Sequence, residues 1–511
     1  MQMKWLAILA LTSTWPVTAQ EAAESADFRA MSDAELRARV DAVDTDGFSD
    51  ACRSKMPLFA EVVRRFPSSR LAKQGSLIAQ AFCAYEQQRH EDGLRLLKQA
   101  ESDFPERHYP GLGLVFAERL KDGAEALERL RLIVEAGELA DFPTELVYAG
   151  VRTLRSDGLT DELDELGSEL TSSSDFADLD PELQSLFASG AIRHGFKIGD
   201  LSRLAELLRY DSNPSSYLSM LSDREYEAAW PQIEERAGDN LAKVAEAYVR
   251  LTAERLAEVP EDRDRLSRYA YALLYAGRFQ EAIDVARNWR PQRDNLQGLE
   301  EGEGWSLNIE AYALDALGRR SEADAVFDQL VTLPADEYPW VVNFVINRAS
   351  RLVGQERWEQ GLDATELARS VADKHGTTYA RMLVARDRAC ALHRLGRSED
   401  ASREADFLVE NFDHSAAIAT TGLMCVGRER EAEGMIAAAL SDPVAREALV
   451  SDMQDPRFEL FYTASRLPQA RELILANEGL REEALKHVRV LPERLVPVSY
   501  LKRVHTTEGA R

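Results

Sequence analysis

The chain has 511 residues, 45% of them hydrophobic and 29% charged, so it can bury a large core and is not a disordered polymer. Its formal net charge of −26 opposes nucleic acid and anionic membrane surfaces. Past the N-terminal leader, no stretch is long and apolar enough to span a bilayer, so no membrane insertion is expected.

The first element is a leader. Lys4 is the only charge before Glu21, Trp5 to Leu11 is apolar, and Val17-Thr18-Ala19 puts small residues at the −3 and −1 positions of a cleavage site. Residues 1–19 therefore read as a signal peptide cleaved after Ala19, and the mature protein is expected in an exported compartment, most simply a bacterial periplasm. Residues 20–30 form a short, acidic, flexible lead. Ser32 and Glu35 have capping-box spacing and open the first helix. Asp44-Thr45-Asp46-Gly47-Phe48-Ser49-Asp50 resembles a calcium loop only briefly. With Gly47 at the invariant glycine, the first and last ligand positions fall on Ala42 and Arg53, so a polar turn is the better reading. No metal site and no cofactor are expected.

The four cysteines fall into two local pairs, Cys52/Cys83 and Cys390/Cys425, separated by 31 and 35 residues. In an oxidising compartment these read as two disulfides across neighbouring helical hairpins, against the alternative of four buried thiols.

From Ser32 onward almost every segment reads as helix, broken by short Gly, Pro, Ser or Asp turns. The polar run Asp211 to Ser216 is the best candidate boundary. It separates a degenerate helical-repeat region, 31–210, from a clearer one, 217–511. In the second region a phrase recurs, with Gly-Arg at a helix end and Ala five residues after the Gly: GRFQEA (Gly277–Ala282), GRRSEA (Gly318–Ala323), GRSEDA (Gly396–Ala401) and GREREA (Gly427–Ala432). Ala270, Ala311 and Ala389 lie seven residues before the Gly, and Leu273, Leu314, Leu392 and Leu423 lie four before it. Ala323, Phe327 and Leu330 make one stripe of the following helix. A related copy runs through Ala349, Leu352 and Gly361 with extra residues in its turn, and a weaker one, GLREEA, spans Gly479–Ala484. Residues 150–240 fit the offsets poorly.

These residues resemble the tetratricopeptide repeat family. The resemblance implies an all-α fold, a right-handed superhelix of stacked antiparallel helix pairs, in which each pair completes its neighbour's core. It also implies that the first helix of each pair faces a concave groove that binds another chain.

Counting back from each turn Gly, positions two, six, ten and thirteen share the inner face, distinct from the core positions at four and seven. Tyr271, Tyr275, Trp305 and Tyr312 fall there, with Asn308 between the aromatics, Arg386 and Arg394 further along, and His393 at the margin. Aromatic and arginine side chains are common anchors of protein interfaces. The competing reading makes the aromatics inter-repeat core and the arginines solvated surface. An apolar groove with a cationic end would suit a peptide carrying an acidic group.

Sequence motifs for nucleophilic, phosphate-binding or zinc chemistry are missing. The expectation is therefore a non-enzymatic, exported scaffold that binds a protein or peptide, in envelope assembly or secretion. Its rivals are an envelope enzyme or enzyme accessory using the array as a substrate-holding ring, and a structural spacer or homo-oligomer.

Overall fold

The computed structural model describes residues 28–41, 51–289, 296–442, 445, 446, 449, 453–460 and 465–504. The leader with its cleavage site, most of the acidic lead and Asp44–Asp50 lie outside them. The regular elements among the described residues are all helices, with one isolated antiparallel bridge, Asp223 to Val488, and no strand. The chain divides into two compact units, residues up to Asp211 and residues from Ser212.

The first unit contains α1 (Asp33–Asp41), α2 (Met56–Arg65), α3 (Arg70–Glu86), α4 (His90–Asp103), α5 (Pro110–Leu120), α6 (Gly123–Glu135), α7 (Thr144–Ser156), α8 (Thr160–Leu170), α9 (Pro181–Ile198) and α10 (Leu204–Leu207). The predicted capping box opens α1: the Ser32 amide donates to Glu35 and the Glu35 amide donates to the Ser32 hydroxyl. Pairs α3–α4 and α5–α6 pack as hairpins. A disulfide joins Cys52 to Cys83 with Cα atoms 4.6 Å apart.

The second unit begins with α11 (Pro214–Ser222), α12 (Trp230–Ala237) and α13 (Ala242–Glu258). Five hairpins follow: α14 (Arg263–Tyr275) with α15 (Phe279–Trp289), α16 (Glu301–Ala316) with α17 (Arg320–Leu330), α18 (Val341–Gly354) with α19 (Trp358–His375), α20 (Thr378–Arg394) with α21 (Ser398–Glu410), and α22 (Ala416–Cys425) with α23 (Glu429–Ser441). Three short helices close the unit, α24 (Ala470–Ala476), α25 (Glu478–Ala484) and α26 (Val498–Leu501).

The recurring phrase now has a physical reading at each residue. Gly277, Gly318, Gly396 and Gly427 all take positive φ, between 65° and 78°. They end the first helix in a left-handed residue, and the next N–H closes a Schellman bond: Arg278, Arg319, Arg397 and Arg428 donate to the carbonyls of Leu273, Leu314, Leu392 and Leu423. Around Gly396 and Gly427 a Cβ would meet nothing, so those glycines are there for backbone angle alone. The arginine side chain then pairs with a carboxylate three residues on, Glu281, Glu322, Asp400 or Glu431, in the first turn of the second helix. The alanine that follows is fully buried in every copy.

The same geometry corrects two sequence readings. In the α18–α19 hairpin the turn residue is Glu356, at φ 62°, not Gly361. Gly361 instead takes the buried alanine position, where a Cβ would lie 2.6 Å from Val353 Cγ2. No extra residues are present. Gly479 lies inside α25 and is not a turn residue. The offsets also extend into the first unit, where Gln88, Lys121, Gly158 and Gly199 take positive φ. Five residues after them stand Gly93, Ala126, Leu163 and Leu204, all buried. The stretch 150–240 thus carries hairpin turns at Gly158 and Gly199, with leucine in place of alanine.

The second unit is not a simple open stack. After α25 the chain returns to the unit's first helices. Arg224 and Asn240 donate to the carbonyls of Leu485 and Val496. Glu234 pairs with Arg489 and Arg494, and Arg489 lies 4.3 Å from the Trp230 ring.

Candidate functional site

Within the second unit, the first helices of successive hairpins line a cavity of about 990 Å³. Helical register explains which residues reach it. Six residues before the turn stand Tyr271, Tyr312, Ser350 and Thr421. Ten before it stand Asn308, Arg386 and Ala417. Thirteen before it stand Trp305, Leu383 and His414. These rows fall on one helix face. Of the residues singled out from sequence, the fold brings Tyr271, Trp305, Asn308, Tyr312 and Arg386 onto this one wall.

Tyr275, His393 and Arg394 are not part of it. The row two residues before each turn, where Tyr275 and Arg394 stand, is taken up otherwise. Tyr275 stacks on Tyr248 at 6.3 Å and bonds Ser215. In the next two hairpins the carbonyls of that row, Ala316 and Gly354, accept the backbone N–H groups of Val504 and Arg466 at 2.8 and 2.9 Å. These are helix-end carbonyls without an intrahelical partner, and the returning chain satisfies them. Cys425, also in that row, is bonded to Cys390, with Cα atoms 4.9 Å apart. Arg394 and His393 are exposed, and Arg394 sits over the Trp358 ring at 5.7 Å.

The far wall comes from a segment that sequence reasoning missed. Gln454 to Leu460 and Ser465 to Ala470 line the cavity opposite the helices, with Phe458, Leu460 and Leu467 buried. The inner face is therefore lined from two sides, by the hairpin helices and by this segment. Asn347, Ser350, Arg351 and Tyr379 were also missed. Asn347 and Ser350 become legible once Glu356 is recognised as a turn residue. Nothing in the C-terminal sequence signals its return.

The aromatic residues hold two positions at once. Tyr312 is 9% exposed and belongs to the core, edge-on to Phe327 at 6.1 Å. Trp305 is half-buried, edge-on to Phe344 at 5.1 Å, with Nε1 donating to Glu301. Burial pushes the Tyr312 phenol up to about 12 and raises Tyr271 and Tyr275 as well. All three stay neutral hydroxyls at ordinary pH.

The expected cationic end does not form. Arg386 lies against Asp387, with Nη2 2.7 Å from Oδ1, and donates to the Ser350 hydroxyl at 3.2 Å. The Asp387 carboxyl is fully buried, and burial raises its pKa against the pull of Arg386 and Ser350. Arg351 is committed to Asp315 and Asp324. Asn308 accepts from Asn347 at 3.1 Å and bonds the Tyr312 hydroxyl. The wall is thus mostly neutral hydroxyl, amide and aromatic, with its arginines compensated inside the fold.

Stacked antiparallel hairpins define this chain as an all-α helical-repeat protein. No protein-family model and no curated protein matches its sequence. Among solved structures, one entitled "Structure of Naa15/Naa10 bound to HypK-THB" is similar over 91% of this chain and 76% of that chain, at 12% identity and a TM-score of 0.26, too slight a likeness to bear on function. No helix among the described residues is long and apolar enough to cross a membrane.

Proposed function

We propose that this protein is an exported scaffold of tetratricopeptide-like hairpins that holds a protein or peptide partner on the inner face of its second unit, in cell-envelope assembly or secretion. The observation that carries the reading is the shared wall of Tyr271, Trp305, Asn308 and Tyr312 in one cavity of about 990 Å³, with aromatic side chains of the kind that anchor protein interfaces. Binding is favoured over catalysis because the strong charges there are already paired, Arg386 with Asp387 and Arg351 with Asp315. Export rests on the leader Lys4 to Ala19 and agrees with the two disulfides.

The test uses Tyr379, which lines the cavity and is 51% exposed. A photocrosslinking residue at that position, in the protein produced with its own leader, should yield an adduct with another polypeptide. Trp305→Ala should lower the yield by about 30-fold or more while helical circular dichroism is kept, the loss of an aromatic anchor being about 2–4 kcal/mol. An adduct only with a second copy would favour the homo-oligomer. Failure to form any polypeptide adduct would refute the reading.

A further inference from the structure

The cavity of the second unit offers an entering group almost no charge. Its arginines are engaged inside the fold, Arg386 by Asp387 and Arg351 by Asp315 and Asp324. Asp455 pairs with Arg457 at 3.1 Å, and Glu459 is half-buried and has a partner of its own. The one imidazole of the lining, His414, is exposed. What the cavity does offer is neutral. The side chains of Ser219, Thr421 and Gln469 line it and make no hydrogen bond among the described residues. Trp305, Tyr271, Leu383 and Ile418 add aromatic and aliphatic faces to the same lining.

We infer that the segment of the partner entering this cavity is uncharged: free of Asp, Glu, Lys and Arg, and built of amide, hydroxyl, aromatic and aliphatic groups. The inference rests on the reading that this inner face binds a polypeptide, and it names what the face selects. A charged side chain would leave water for a wall whose own charges already have their counter-charges. Its desolvation would go uncompensated. A backbone amide, a hydroxyl or a carboxamide gives up water and finds Ser219, Thr421 or Gln469 in exchange, so its hydrogen bonds are kept. Trp305 and Tyr271 supply flat surfaces for aromatic or aliphatic neighbours. The net charge of −26 acts on the approach of a partner through solvent and is screened by salt, so it leaves the contact itself neutral.

The experiment adds one charge of either sign to the lining. Thr421→Asp and Thr421→Lys are each made in the full chain that carries the photocrosslinking residue at position 379 and its own leader. Crosslinking is run at about 0.5 M salt, where charges more than about 5 Å away are screened. Both variants should lower the yield of polypeptide adduct by about tenfold, because each sets an unpaired charge against a neutral segment. Mass spectrometry of the adduct should find no acidic or basic residue next to the attachment point. Opposite responses to the two signs, with one variant keeping or raising the yield, overturn the inference and leave the partner reading standing. So does a charged residue at the attachment point. An adduct of saccharide mass, or no polypeptide adduct at all, overturns the partner reading and this inference with it. Should a Thr421 variant lose its helical dichroism, Ser219→Asp and Ser219→Lys repeat the comparison at an exposed position of the same lining.

Discussion

Arg351 offers the sharpest test of how the hairpins are held together. Its side chain and that of Asp315 are each 1% exposed, with Nη2 2.7 Å from Oδ1. It also bonds Asp324, which Arg357 holds at 2.8 Å, so one guanidinium ties α16, α17, α18 and the turn that starts α19. Burial works against the charge on Arg351, but the bonds and charges of Asp315 and Asp324 outweigh it and hold it above the ordinary arginine range. Burial pushes Asp315 up, and Arg351 is its main opposition. Arg351→Met keeps the volume and leaves a buried carboxylate alone, which costs about 3–5 kcal/mol of the second unit's stability. With burial unopposed, the folded pKa of Asp315 rises further above its unfolded value. A raised acid stabilises the folded state below the unfolded pKa and loses that effect as pH rises through the folded pKa. The deficit should therefore shrink as pH falls from about 7 to about 4. Arg351→Met with Asp315→Leu should recover most of the loss at every pH, since apolar replacements of a buried pair are often neutral. Urea unfolding followed by helical dichroism gives all three comparisons. A single variant within about 1 kcal/mol of wild type at neutral pH, or a deficit independent of pH, would refute the argument.

Three further outcomes follow from the same structure. Glu356→Gly should be stabilising by up to about 1 kcal/mol, because a left-handed turn residue gains from losing its Cβ, whereas Gly396→Ala should cost about as much; denaturant midpoints decide both. Replacing Cys390 and Cys425 by alanine should cost about 3–4 kcal/mol for a 35-residue loop, and non-reducing mass spectrometry should find no alkylatable thiol in the wild-type exported protein. Gly361→Ala should destabilise by about 1–3 kcal/mol, since its Cβ would press on Val353, while Gly427→Ala loses only the backbone preference.

The sequence made the helical class legible because the Gly-Arg phrase encodes local physics. A left-handed residue, a Schellman bond, a first-turn ion pair and a small buried residue all lie within ten residues, as from Leu273 to Ala282. The same turn went unseen where Glu356 takes positive φ without glycine, and where Leu163 or Leu204 replaces the buried alanine. Inner-face register was legible at six, ten and thirteen residues before the turn. It failed at two, because Tyr275 is taken up by Tyr248 and Ser215, Arg394 lies over the Trp358 ring, and the Ala316 and Gly354 carbonyls of that row meet the returning chain. Arg386 lines the cavity but brings no free charge to it, because its partner Asp387 sits beside it on the chain and only the fold shows that carboxyl buried against it.

The return of the C-terminal chain changes how the second unit can come apart. In a linear array each hairpin touches only its neighbours, and the ends fray first. Here the bonds from Arg224 to Leu485 and from Asn240 to Val496 span 261 and 256 residues. They join the last helices made to the first of the unit. The outermost hairpins thereby lose their freedom to melt alone, and opening at one end is coupled to opening at the other. The chain must also order nearly the whole unit before those contacts reward it, so closure is a late and slow event in folding. Until it occurs, the carbonyls that end α16 and α18 lack their partners from the returning chain, and the apolar cluster of Val353 and Leu392 lacks Leu467.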